Sequence, residues 1–87
     1  MNPTTKPLKS VHFPDFNVGY IVGDSGTILK TLDAGSTWTP LSSGVTENLY
    51  SVFFTDAIIG YAVGDFTILK TMDAGTTWEI FTADSKL

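Results

Sequence analysis

The chain is one segment used twice, and that repeat constrains the fold more than any other feature. Leu8-Lys9-Ser10-Val11-His12-Phe13-Pro14-Asp15 aligns with Leu49-Tyr50-Ser51-Val52-Phe53-Phe54-Thr55-Asp56 at an offset of 41 residues. Gly19-Tyr20-Ile21-Val22-Gly23-Asp24 matches Gly60-Tyr61-Ala62-Val63-Gly64-Asp65 at the same offset. One residue fewer in the next turn moves the offset to 40, where Thr27-Ile28-Leu29-Lys30-Thr31 matches Thr67-Ile68-Leu69-Lys70-Thr71. Ten of 18 positions are identical across 8–25, and ten of 12 across 27–38. The chain is therefore two copies of one unit of about 40 residues, and units of that kind bury their apolar faces against neighbours.

Each copy reads as four short strands. In the first copy they are expected at 8–13, 19–22, 27–32 and 37–41, and in the second at 49–54, 60–63, 67–72 and 77–82. Pro14-Asp15, Gly23-Asp24-Ser25-Gly26 and Asp33-Ala34-Gly35-Ser36 supply the turns between them. Pro40 cannot donate to a ladder, so the fourth strand belongs at a sheet edge. No segment has a helical period with caps. Adjacent apolar residues, as in Tyr20-Ile21-Val22 and Ile28-Leu29, point to sheets covered on both faces rather than wet on one. The reading is all-β: two four-stranded antiparallel propeller blades, 8–48 with its connection and 49–83, flanked by an extension at 1–7 and a tail at 84–87.

Composition removes several function classes. The chain of 87 residues has 43% apolar and 16% charged residues, which is a globular rather than a disordered balance. Nine acids against five bases give a net charge of −4, and every base is a lysine. An acidic chain without arginine lacks the basic face that nucleic acid requires. No apolar run reaches the length of a membrane span, and the first seven residues do not read as a signal peptide. The lack of cysteine excludes disulfides and thiolate metal sites but does not fix a compartment.

Thr31-Leu32-Asp33-Ala34-Gly35-Ser36-Thr37-Trp38 and Thr71-Met72-Asp73-Ala74-Gly75-Thr76-Thr77-Trp78 both spell [ST]-x-D-x-G-x-T-W. This motif resembles the Asp-box of the bacterial neuraminidase (BNR) repeat. The surrounding V-x-F-x-D, G-Y-x-V-G-D and T-I-L-K-T segments are similar to the photosystem II assembly/stability factor type of that repeat, across residues 8–83. The resemblance implies a propeller in which the box joins strands three and four, away from the ligand-binding face. Thr31, Asp33, Gly35, Thr37 and Trp38, with Thr71, Asp73, Gly75, Thr77 and Trp78, are then structural. The aspartate caps backbone N–H groups in an Asx-type turn, and the glycine supplies a positive φ.

Catalysis is not expected. Sialidases with Asp-boxes hold the substrate carboxylate with three arginines, and this chain has none. Tyr20 and Tyr61 occupy matching repeat positions and read as blade contacts; Asp24 and Asp65 read as turn residues. His12 aligns with Phe53 and reads as a filler on the innermost strand. No catalytic residue, cofactor or metal site is assigned. The photosystem partner is not carried over either, because the arginine-containing patches of those factors have no counterpart here.

Individual function is expected where the copies differ. The second turn is Asp24-Ser25-Gly26 in one copy and Asp65-Phe66 in the other, on the face that carries the 42–48 connection. Asp24, Ser25, Asp65, Phe66, Glu47 and Asn48 form a candidate binding face for a peptide or a glycan. Phe66 packing on a neighbouring subunit is the equal alternative. Two blades also leave blade faces uncovered, which predicts a homo-oligomeric ring: six blades as a trimer by preference, eight as a tetramer next. The expected role is a non-catalytic binding or scaffolding module whose partner is itself, with a protein or glycan ligand. A lectin-like ring, and a fragment or engineered piece of a longer secreted propeller, are the alternatives.

Overall fold

The computed structural model describes residues 6–82; the expected extension and tail lie largely or wholly outside them. Two four-stranded antiparallel sheets follow one another along the chain. The first contains β1 (Leu8–His12), β2 (Gly19–Gly23), β3 (Thr27–Thr31) and β4 (Thr39–Leu41); the second contains β5 (Leu49–Phe54), β6 (Gly60–Gly64), β7 (Thr67–Thr71) and β8 (Glu79–Thr82). Each sheet is a meander in sequence order, β1-β2-β3-β4 and β5-β6-β7-β8. These are two propeller blades. Each first strand carries an irregularity at the same place, between Leu8 and Ser10 and between Leu49 and Ser51.

Pro40 sits in the edge strand β4, opposite Leu29. The fourth strands begin two residues later than the composition suggests, at Thr39 and Glu79 rather than 37 and 77. The reason is local. The Thr37 and Thr77 N–H groups donate to Asp33 and Asp73 Oδ1, at 2.8 and 2.9 Å, so those residues serve the turn before any ladder. The third strands likewise stop at Thr31 and Thr71, one residue early, and Leu32 and Met72 are exposed.

Two glycines explain the repeated G-Y-x-V-G-D segment. The Phe54 ring lies where a Cβ on Gly60 would stand, 2.5 Å away, and Phe13 does the same over Gly19. A side chain at Gly64 would collide with the Asn48 carbonyl, and one at Gly23 with that of Pro7. Those close approaches allow Asp65 N–H to bond Asn48 O and Asp24 N–H to bond Pro7 O, both at 3.0 Å.

The register assigns residues to faces. Ser10, His12, Tyr20, Val22, Ile28 and Lys30 share one face of blade 1. Val52, Phe54, Ala62 and Leu69 share one face of blade 2. These two faces meet and form the core, in which Tyr20, Val22, Ile28, Leu49, Val52, Phe54, Ala62 and Leu69 are buried. Tyr20 stacks on Phe54 with ring centroids 4.0 Å apart. Backbone joins the blades as well, Val52 N–H donating to Ser10 Oγ at 3.2 Å. The apolar pairs on the outward faces leave Val11, Phe13, Phe53 and Phe81 exposed.

Candidate functional site

The two ends of each blade do different things. At one end lie the β3–β4 turns, beside the β1–β2 loops: Ala34 N–H reaches Asn17 O at 2.9 Å, and Ala74 N–H reaches Ile58 O at 3.0 Å. At the other end lie the β2–β3 turns and the 42–48 connection.

The β3–β4 and β7–β8 turns share one threonine–aspartate network. Asp73 Oδ1 accepts from Thr71 Oγ1 at 2.8 Å and from Thr77 N–H, while Asp73 Oδ2 accepts from Thr77 Oγ1 at 2.6 Å. Thr71 Oγ1 in turn accepts the Gly75 N–H at 2.8 Å. The first copy repeats these bonds around Asp33, with Thr31, Gly35 and Thr37, at 2.6–3.0 Å. Hydrogen bonds to the Thr37 and Thr77 hydroxyls, then to their N–H groups, hold both carboxyls down at about 2. The turn needs positive φ at Ala34, Gly35, Ala74 and Gly75. Trp38 closes its turn by donating Nε1–H to Gly35 O at 3.1 Å and meets Phe13 edge-on. Trp78 meets Phe54 in the same way. Both carboxylate oxygens of Asp33 and of Asp73 accept bonds from within the turn, so these side chains hold its shape.

One contact of this turn has no counterpart in the sequence reasoning. Lys30 Nζ donates to the Ala74 carbonyl at 2.7 Å, and Tyr20 Oη donates to the same oxygen at 2.9 Å. The ammonium also lies 5.3 Å from the Tyr20 ring centroid. Burial pushes the Tyr20 phenol up, which keeps it a donor. A lysine and a tyrosine from blade 1 therefore clasp the turn of blade 2. The available signal was a lysine set among apolar strand residues at the same place in both copies.

At the opposite end the candidate face is partly assembled. Ser25 N–H donates to Asn48 Oδ1 at 3.0 Å, which brings the first copy's turn to the connection. Asp65 joins Asn48 through the backbone bond already described. Asp24 lies 3.9 Å from Lys9 Nζ. Ser25 and Phe66 hold positive φ, at 61° and 55°, and Phe66 remains 48% exposed at its turn. Glu47 is exposed and precedes Asn48 in the connection. Among the described residues no group of three or more metal-ligating side chains occurs.

Residues 2–87 match the family described as Photosynthesis system II assembly factor YCF48. The chain belongs to that family. It is similar to the solved structure of YCF48 bound to D1 peptide, with a TM-score of 0.82 and 32% identity over 94% of this chain. It shares the fold of YCF48 from Cyanidioschyzon merolae, with a TM-score of 0.84 and 24% identity over 97% of this chain. The chain spans 28% and 29% of those two proteins. Curated proteins give no match. The family is described as an assembly factor, and one of the two YCF48 structures has a D1 peptide bound.

Proposed function

We propose that the chain is a non-catalytic binding or scaffolding module whose two blades, 8–48 and 49–83, associate with further copies to close a propeller and hold a peptide segment of another protein. The observation that carries the binding reading is the match over 94% of this chain to a YCF48 that has a peptide bound. The candidate face fits such a ligand chemically. Phe66 offers an exposed ring and Glu47 an exposed negative charge, while Asp24, beside Lys9, and Asp65 sit at the adjoining turns. Together they suit an extended segment that carries an apolar side chain beside a lysine or arginine. The ring reading rests on the outward blade faces, which retain exposed aromatic and aliphatic side chains; six blades from three chains is the preferred count.

The test is an array of synthetic peptides pairing one aromatic or aliphatic residue with one base, titrated against the protein by fluorescence anisotropy. Binding that Phe66→Ala weakens at least tenfold supports the reading. Indifference of every bound peptide to Phe66→Ala moves the site elsewhere, and measurable turnover of a sialoside or aryl-glycoside overturns the non-catalytic role.

A further inference from the structure

The interface inside the chain is asymmetric, and both of its sides are present a second time. Blade 1 contributes the clasp of Tyr20 and Lys30; blade 2 contributes its Asp-box turn and the face of Val52 and Phe54. Repeat equivalence places a second clasp, Tyr61 and Lys70, on the outward face of blade 2. It places a second turn, with Ala34, and a second apolar face, with Val11 and Phe13, on the outward side of blade 1. The two unused halves lie on opposite faces of the molecule and cannot meet within one copy.

Both halves are already shaped for each other. Lys70 Nζ stands 5.7 Å from the Tyr61 ring centroid, matching the arrangement of Lys30 over Tyr20. Among the described residues, neither Tyr61 Oη nor Lys70 Nζ has an acceptor. Ala34 and Ala74 hold nearly the same φ, 60° and 58°, and their N–H groups are tied to equivalent loops of their own blades, at Asn17 O and Ile58 O. The contrast at the next residue shows what is missing. Gly75 is buried, and a Cβ there would stand 3.1 Å from Tyr20 and from Leu41 of blade 1. Gly35 is only half-buried, and a Cβ there would meet its own Trp38 alone, at 3.7 Å.

We infer that the Tyr61–Lys70 face takes the Asp-box turn of a second copy of this chain, with Tyr61 Oη and Lys70 Nζ both donating to that copy's Ala34 carbonyl. The occupant follows from continuity with the interface already made: the same clasp, on the same strands, receives the same turn. The contact is heterologous, so each copy offers one live half to the copy ahead and one to the copy behind. Two clasp faces meeting each other would instead oppose one Lys70 with another. This inference rests on the self-association reading above and specifies its geometry.

The test uses light scattering on the full chain and two variants. Tyr61→Phe/Lys70→Met removes the donors of the clasp. Val11→Asp puts a charge on the opposite face, at a site 56% exposed here whose equivalent, Val52, is buried between the blades. Wild-type chains should associate, and the clasp variant should shift the association midpoint upward roughly tenfold or more, as expected for losing a charged and a neutral hydrogen bond. At concentrations where each variant alone is monomeric, an equimolar mixture should give dimers and nothing larger, because one live half remains on each. Recovery in the mixture also shows that both variants are folded. Wild-type association that the clasp variant leaves unchanged overturns the clasp while the ring stands. Either variant alone stopping predominantly at a dimer, at the concentration where wild-type chains are half-associated, overturns the head-to-tail arrangement. A wild-type monomer at high concentration overturns the ring and the clasp together.

Discussion

Asp33 and Asp73 each organise a turn through a carboxylate that accepts three bonds from two threonines. Folded values of about 2, against the usual 3.8, mean that ionised aspartate favours the folded chain. The sign follows: this contribution is fully present above about pH 4 and is lost as pH falls through 2. Tm measured by tryptophan fluorescence should therefore be flat near neutrality and decline across that window. The Asp33→Asn/Asp73→Asn variant should start lower and decline less steeply. Asp56, lowered by the Ile59 and Ile58 N–H groups, should account for part of the decline that remains. The motif's role as a turn was legible, because threonine, aspartate and glycine in that order each have one conformational use. Its role as a socket for a neighbouring blade was not, since the acceptor is a backbone carbonyl at Ala74, where sequence reports only a methyl group. Gly75→Ala and Gly35→Ala separate the two roles. Both place a side chain at positive φ, costing about 1–2 kcal/mol, but only Gly75→Ala also crowds Tyr20 and Leu41. Thermal or urea unfolding should find Gly75→Ala the more damaging of the pair.

Strands are read more accurately in their middles than at their ends. β2, β3, β6 and β7 have the apolar runs expected of strands covered on both sides, and their turn residues bound them to within one residue. The fourth strands are shorter because the turn captures the N–H of residue 37 or 77, a competition that hydrophobic pattern does not encode. Pattern also leaves open which face of a doubly apolar strand meets the partner blade. Ile28 and Leu29 are adjacent and both buried, yet only Ile28 belongs to the core between the blades. Packing energetics follow the faces rather than the composition. Leu69→Ala, at a side chain with no exposed surface between the blades, should cost about 2–5 kcal/mol in urea unfolding. Val11→Ala, on the outward face, should cost far less in dilute protein, where that face is wet.

Association and stability should be linked for the molecule as a whole. If further copies cover Val11, Phe53 and Phe81, Tm should rise with protein concentration, because only folded chains bind. A Tm that is constant over a hundredfold range of concentration would count against self-association. Repeat number and blade identity are legible from the chain because 20 of 30 aligned positions agree; the ligand is not, because the residues that differ at the opposite end, Ser25 and Phe66 above all, have no second copy to explain them. The clasp has one more consequence, for how such a gene changes length. Tyr20, Lys30 and Ala34 lie within one unit, as do Tyr61, Lys70 and Ala74, so donor and acceptor are inherited together. A tandem duplication of the coding sequence would deliver a new blade with both contacts already written. Blade number would then be limited by the angle at which the last unit returns to the first, and not by the need to invent a new seam.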